Sequence, residues 1–438
     1  MKEEDYFTWA KRAFSKEEIP GKAEILSGVR VVEMATRIFG PFTADLLGQL
    51  GAEVIKVEMP GVGDLMRYVT PEGYFWKNAS VGFFPQNRNK YHVALDLHPE
   101  EGKDIFRRLV AESDVVVENL KAGTMDRWGI GYNQLKEIHP RLVYVANTGF
   151  GQWGPFSKGR PSYDATAQAQ SGMSEITGFP ESAPLKAGIY IGDFTGGLTA
   201  AYAVLVALYH RERSGVGQFI DVAQAEVLIR VLDWTWIYHG LTGKSRTRVG
   251  NRDVAVSPSG IFRCRDGFVA VSASDDDQFR GLAASMGRVD LLENEEMSDN
   301  LGRTSPKNVE LLCRLIGDWC RKKSIREVEV AGKKGGFGAV RVRNARDHYE
   351  NPHLRERGAV WEIDDELYGI IAEYGPSMKM SQSPPRLKWA AKPVGYHNDH
   401  VFHRILGIQP DEMERLEKSG VIGKWNDVPG AAPPKEEA

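Results

Sequence analysis

The sequence predicts an α/β fold, a parallel sheet carrying helices on both faces, joined by a smaller second domain. Three observations lead there. Short β-rich apolar runs alternate with amphipathic helical stretches from residue 28 to residue 147, with Gly or Pro at several of the junctions. A second strand-like run follows a long helical one near 195–223, and past residue 225 the pattern gives way to a Trp-rich helical stretch, a hairpin and more helices. Each element has its own signal. GVRVVEM (28–34) is a buried strand, PFTADLLGQL (41–50) a helix with Pro in its first turn, Gly51 its stop, and AEVIKVE (52–58) a second strand, which completes a βαβ unit. The pattern returns as YHVALDL (91–97), the helix PEEGKDIFRRLVAE (99–112), DVVVEN (114–119), the short helix YNQLKEIHP (132–140) and RLVYVAN (141–147). Ligands of such sheets sit outside the carboxyl ends of the strands, so the loops there are where chemistry is expected.

The division expected is a charged leader over 1–26, the first part of the large domain over 27–225, a small domain over 226–345, a return to the large domain over 346–425, and a frayed tail over 426–438. Within the small domain, GIFRCRDGFVAVSAS (260–274) reads as a hairpin turning at Asp266-Gly267, and 276–332 as helices. KKGGFGAVRV (333–342) reads as the start of the return.

With 438 residues and 42% apolar content the chain can bury a large core. Its formal net charge of −3 supplies no field for nucleic acid, so any anionic ligand must be met locally. The three cysteines, Cys264, Cys313 and Cys320, form no CxxC pair, and no disulfide framework or zinc knuckle is indicated. The N-terminus lacks the pattern of a signal peptide and no apolar run reaches bilayer length, so a cytoplasmic protein without membrane partners is expected.

Among the motifs, KAGIYIGDFTGGLTAA (186–201) sets Asp193 among Gly192, Gly196 and Gly197 where a strand-like run turns into a helix over 195–212. A carboxylate there either caps the helix or is presented to a ligand as a nucleophile beside oriented N–H groups. GFGQWG (149–154) fits the spelling of a dinucleotide fingerprint, but Pro155 and the polar run after it do not continue as a helix, so the pyrophosphate seat is missing. His397, His400 and His403 lack the partners of a metal site and read as surface histidines; no metal is expected. Lys90, Lys121 and Arg127 flank strand ends and are candidates to hold a phosphorylated ligand, or are ordinary surface charge. The aromatic stretches 67–84 and 233–240 either wall an apolar substrate pocket or belong to core and interface.

Taken in order, LSGVRVVEMATRIFGPF, LGAEVIKVEMPGVGD, NRNKYHVALDL, DVVVENLKAGTMDRWGIGYNQL, TGFGQWGP, YDATAQAQSGM, GIYIGDFTGGL and KPVGYHNDHVFHRILG resemble the class III CoA-transferases. The resemblance runs from Leu26 to about Gly423. It implies a Rossmann-like large domain, a small domain and an interlocked-ring dimer, with an acyl-CoA thioester as substrate and no permanently bound cofactor. It makes Asp193 the catalytic nucleophile, sets Asn119, Leu120, Arg127 and Trp128 against CoA, and puts Arg37 and Ile38 in the loop receiving the adenine and diphosphate part. Asp164, after Tyr163, stands where formyl-CoA transferase has a glutamate and is its candidate acidic partner. That enzyme's glycine-rich flap has no evident counterpart in GNRDVAVSPSG (250–260).

The activity implied is transfer of CoA from a donor such as succinyl-CoA to a carboxylic acid, through an aspartyl anhydride and an aspartyl-CoA thioester on Asp193. The aromatic stretches incline the acceptor toward a bulky or aromatic acid. An ionised Asp193 with a pKa near the ordinary ~3.9, or modestly above it, is expected, with the amides around Gly192, Gly196 and Gly197 as oxyanion donors. Two alternatives stand beside this reading. An α-methylacyl-CoA racemase would need a histidine where Tyr163 stands, and a phenol with a pKa near ~10 is a poor base. A non-catalytic paralogue would serve as partner subunit in a heteromer, where a catalytic chain would form a homodimer.

Overall fold

The computed structural model describes residues 5–158 and 160–425; residues 1–4 of the leader and the tail expected over 426–438 lie outside the described residues. The chain forms two compact units, one comprising Met1–Ser171, Gly188–Asp233 and Asn351–Ala438, the other Gly172–Ala187 and Trp234–Glu350.

The large unit is built on six parallel strands, β1 (Arg30–Met34), β2 (Glu53–Glu58), β3 (Lys90–Ala94), β4 (Val115–Glu118), β5 (Val143–Thr148) and β6 (Phe219–Ala223), in the order β3-β2-β1-β4-β5-β6. The order reverses between β1 and β4, which opens a crevice at their carboxyl ends. Strand side chains alternate between two cores, as a pleat of period two requires. Val31, Val54, Val115 and Val143 face one helical layer, formed by α1 (Phe39–Gln49) and the long helix Ile191–Ser214. Val32, Ile55, Val116 and Tyr144 face the other, where α2 (Glu100–Ala111) and α3 (Tyr132–Ile138) lie.

The long helix is α5 (Ile191–Ser214), and two further helices complete the part that concerns the site: α4 (Asp164–Ser171) and α6 (Gln224–Arg230). The 186–190 segment forms no strand, and the helix expected from residue 195 begins at Ile191. By length and composition α5 is the one described helix able to cross a membrane, with a mean hydropathy of 1.5 over its most apolar window. Counting unbroken apolar runs missed this because Gly and Thr interrupt the run without making it polar. One side of α5, with Ala200, Val204, Ala207 and Leu208, is buried on the sheet, while Leu198, Tyr202, Val206 and Tyr209 are exposed.

Close approach of α5 to α1 depends on two glycines. A Cβ on Gly196 would lie 2.6 Å from the Phe39 ring, and one on Gly197 would lie 2.7 Å from Phe42. Gly196→Ala is therefore expected to destabilise by on the order of 1 kcal/mol net, overpacking outweighing the gain in helix propensity. Urea denaturation checks it, and a stabilised variant would contradict the tight contact.

The C-terminal segment closes the free edge of β3. His92 and His397 exchange backbone-directed bonds, the His92 N–H donating to His397 Nδ1 at 2.9 Å and the His397 N–H to the His92 carbonyl at 2.9 Å. Ala94 N–H donates to Asn398 Oδ1 at 3.0 Å, and Val401, Phe402, Leu416 and Ile422 enter the core over α2. The three histidines are thus not merely surface residues. Burial pushes His397 down to about 3, so its neutral ring accepts; His400 stacks on Tyr91 at 4.4 Å; and His403 Nδ1 lies 2.8 Å from the Ile408 carbonyl.

In the small unit the hairpin forms as β7 (Ser259–Cys264) and β8 (Gly267–Ser272), with Gly267 at φ 146 in the turn. Residues Gly338–Arg341 make its third strand, β9, antiparallel to β8, instead of starting the return to the large unit. Phe337, buried with Val269 and Leu282, fixes them there. The apolar stretch 224–242 breaks at Asp233, whose φ is 60, so α6 ends in the large unit and α7 (Thr235–Thr242) begins the small one. Residues 172–187 join this unit through the Gly250 N–H to the Gly178 carbonyl at 2.8 Å and an Arg248–Glu175 pair at 3.1 Å. The 250–260 segment is pinned by Asn300, whose Oδ1 accepts from Ser257 N–H at 3.1 Å, and by Arg303, which donates to the Ser257 carbonyl at 3.1 Å.

Candidate active site

Asp193 is the third residue of α5, in its first turn, and Tyr190 occupies the cap position without a side-chain bond. Asp193 is therefore not a cap. Its carboxylate points instead to α6, where buried Gln224 donates Nε2–H to Asp193 Oδ1 at 2.8 Å. One oxygen is held, and Oδ2 is left for chemistry. Gln224 was missed in the sequence, although it is the first residue beyond the carboxyl end of β6, where the sheet rule directs attention.

Asp164, the first residue of α4, is buried and accepts the Gly192 N–H on Oδ1 at 2.7 Å and Gln168 Nε2–H on Oδ2 at 2.6 Å. It thus positions the helix end that carries Asp193. A side chain at 192 would crowd Asp164, Gln224 and Leu228, each 3.1 Å from a Cβ there, which explains the glycine. This geometry corrects the oxyanion assignment. The Gly192 amide is taken by Asp164, while Gly196 and Gly197 lie beyond the first turn, where amides bond four residues back. Their observed role is packing.

Asp193 also departs from the expected ordinary acidity. Burial first and the Asp164 charge second push its pKa up to about 7, against the lowering effects of the Gln224 hydrogen bond and the Arg37 charge. An attacking carboxylate must be ionised, so activity governed by Asp193 is expected to fall as the pH drops through about 7. Asp164→Asn removes one of the raising causes and should move that acid limb to lower pH, read from kcat/KM against pH. An unmoved limb would separate the limb from this pair.

The remaining candidates divide into those gathered at the crevice and those elsewhere. Thr36 and Asn119 tie the loops after β1 and β4 together, with Thr36 N–H to Asn119 Oδ1 at 2.9 Å and Asn119 Nδ2–H to the Thr36 carbonyl at 2.7 Å. This brings Arg37 and Ile38 beside Asn119 and Leu120. Ile38 is buried with Met66, Phe83 and Phe84, while the Arg37 guanidinium lies 4.9 Å from the Tyr163 ring centroid. Lys121 and Arg127 are exposed on the loop after β4, and Trp128 packs near His98. The rejected fingerprint run supports this loop, since Gln152 Oε1 accepts the Gly123 N–H at 3.2 Å. Beneath it, Glu118 accepts the Leu120 N–H at 2.7 Å, and burial pushes its pKa up to about 8.

Lys90 does not reach a ligand edge. It is 0% exposed, 2.7 Å from Glu33, and donates to the Pro41 carbonyl at 2.8 Å. The spacing in NRNK gave no hint of burial because the partners are distant in sequence. Lys90 belongs to a buried charge network in which Lys56 lies 2.6 Å from Glu33 and 2.8 Å from Asp64, and Asp64 Oδ1 accepts from Thr36 Oγ1–H at 2.7 Å and Arg37 N–H at 2.8 Å. The aromatic stretch 67–84 is likewise spent in part on core, with Phe83 and Phe84 buried against Tyr368. Among the described residues no group of His, Cys, Asp and Glu has the arrangement of a metal site.

With this geometry in view, comparison with known proteins gives consistent matches. The profile of CoA-transferase family III matches residues 26–398. The chain is 33% identical over 398 residues to succinyl-CoA–D-citramalate CoA-transferase of Chloroflexus aurantiacus, covering 91% of this chain and 98% of that one. It is 34% identical over 404 residues to the beta subunit of succinyl-CoA–L-malate CoA-transferase of the same organism, covering 91% and 98%. Its fold is similar to that of a CaiB/BaiF family protein from Brucella suis, with a TM-score of 0.76, 31% identity, and coverage of 87% of this chain and 99% of that one.

Proposed function

The chain belongs to CoA-transferase family III and is an enzyme of that class, and from this premise we propose that it moves CoA from succinyl-CoA to a dicarboxylic acid by covalent relay on Asp193. The observation that carries the mechanism is a half-buried carboxylate with one oxygen held by Gln224 and the other unengaged, at a helix N-terminus aligned by Asp164.

Asp193 Oδ2 attacks the thioester carbonyl, the C–S bond breaks, and CoA leaves as thiolate from a mixed anhydride. The thiolate then attacks the aspartyl carbonyl, releasing the donor acid as carboxylate and leaving an aspartyl-CoA thioester. The acceptor acid repeats both steps in reverse. The tetrahedral oxyanions are met by the first-turn amides of Ile191 and Asp193, which have no acceptor four residues back inside α5. Asn119, Leu120, Lys121, Arg127 and Trp128 form the CoA-facing loop. Similarity to transferases named for succinyl-CoA with D-citramalate or L-malate supports a dicarboxylic acceptor over an aromatic one.

Asp193 is intact and seated for attack, which favours the catalytic reading over the inert subunit, and Tyr163 in place of histidine disfavours the racemase. The homodimer is the assembly proposed, and the exposed row Leu198, Tyr202, Val206 and Tyr209 is available for it. Incubation with succinyl-CoA and a panel of carboxylic acids, read by CoA-ester mass spectrometry, tests the transfer. Hydroxylamine trapping during turnover tests the relay: a hydroxamate on Asp193 is expected, and its absence with transfer intact would remove the covalent step.

A further inference from the structure

Arg37 stands out among the cations of the large unit. It follows β1 at the crevice and holds φ 68, a left-handed backbone that is unfavourable for a non-glycine residue. That conformation is fixed from two sides: Asp64 accepts its N–H at 2.8 Å, and the preceding Thr36 is doubly bonded to Asn119. Buried cations of this unit are engaged by carboxylates, Arg67 by Glu58, Arg88 by Asp45 and Glu373, and Lys56 and Lys90 by Glu33. The Arg37 guanidinium is different. It is half-buried against the Tyr163 ring, and among the described residues no carboxylate or carbonyl accepts its N–H groups. Tyr163 adjoins Asp164, whose carboxylate holds the amide next to Asp193, so this unspent cation shares a rim with the nucleophile.

Resting on the CoA-transfer reading above, we infer that Arg37 is a specificity residue that receives the distal carboxylate of a dicarboxylic acid while the proximal carboxyl group reacts at Asp193. The chemistry requires such a group. A second negative charge on the acid would otherwise lie near the Asp164 carboxylate in a partly desolvated site, and a planar guanidinium offers paired donors matched to a carboxylate. The resemblance put Arg37, with Ile38, in the loop receiving the adenine and diphosphate part of CoA. The diphosphate, however, lies a whole pantetheine arm away from the thioester, whereas Arg37 stands at the acyl end.

The test is acceptor selectivity in Arg37→Gln, using succinate against butanoate and glutarate against pentanoate, pairs that differ only in the distal group. In a relay, kcat/KM for the acceptor reports the second half-reaction alone, whatever the donor. The dicarboxylate-to-monocarboxylate ratio is expected to fall roughly 10- to 150-fold, the worth of a charge-assisted hydrogen bond, with the monocarboxylates changing less than about threefold. Arg37→Lys, which keeps the charge and loses the fork, should give an intermediate ratio and serves if the glutamine variant proves unstable. Equal loss on both members of each pair would overturn the inference and leave the transfer reading standing. Failure of the unaltered enzyme to make a CoA ester from any acid would overturn the transfer reading itself.

Discussion

Asp193→Asn will lose at least about 10⁴-fold in CoA transfer while gaining stability at alkaline pH. The first half follows from covalent chemistry: an amide cannot form the anhydride, and loss of a nucleophile costs orders of magnitude that binding alone does not restore. The second follows from the raised pKa. Burial and the Asp164 charge push Asp193 up to about 7 in the folded chain, against the ordinary aspartate value of 3.8 when unfolded, so the folded state binds the proton more tightly. The stability this confers is fully present below the unfolded pKa and is lost as the pH rises through about 7. Above that pH the native protein holds a half-buried charge that asparagine removes. The variant should therefore be more stable than the parent by roughly 1–4 kcal/mol at pH 8, with the difference shrinking toward pH 5. Paired urea titrations at the two pH values decide this, and equal stabilities would show that Asp193 is not strained.

Lys56→Met is expected to cost roughly 3–5 kcal/mol of stability, the usual result of removing one partner from a buried ionic cluster. Lys56 is 0% exposed and lies within 2.8 Å of both Glu33 and Asp64, so methionine would leave Asp64 without its cation. Asp64 also holds the Thr36 hydroxyl and the Arg37 amide. The loop after β1 should therefore loosen, and KM for CoA thioesters should rise in whatever fraction remains folded. A variant of unchanged stability and KM would show the cluster to be dispensable.

Much of the architecture was legible because it is written locally. The alternation of strands and helices from Val31 to Val145 follows from period-two and period-3.6 patterning and from Gly and Pro at the joins. The parts that escaped are those fixed by distant partners. Lys90 looked like a surface cation because nothing near it in sequence announces Glu33, and His397 looked like a surface residue because its partner is His92. The helix start at Ile191 escaped for a related reason: IGDFTGG has poor helix propensity, and contact of Gly196 and Gly197 with Phe39 and Phe42 overrides it. At the site, the setting of Asp193 suited a cap as well as a nucleophile, and the family resemblance decided for the nucleophile and pointed to Asp164. Gln224 was not visible, since an uncharged residue at a strand end carries no chemical signature by itself. The upward shift of Asp193 was likewise hidden, because it arises from burial and from a carboxylate 29 positions earlier.

The bond between His92 and His397 spans 305 residues, and the small unit is threaded between its ends. For a chain emerging from the ribosome, this sets a timetable. The edge of β3 stays bare through most of synthesis, a template for pairing with other chains, until the last segments arrive to cover it. Closing a loop of that length carries an entropic term of roughly 5 kcal/mol, so the sheet gains its cover late and all at once. Nascent chains cut short before His397 should therefore accumulate as insoluble material, and production of this enzyme should depend on chaperone capacity more than its finished core would suggest.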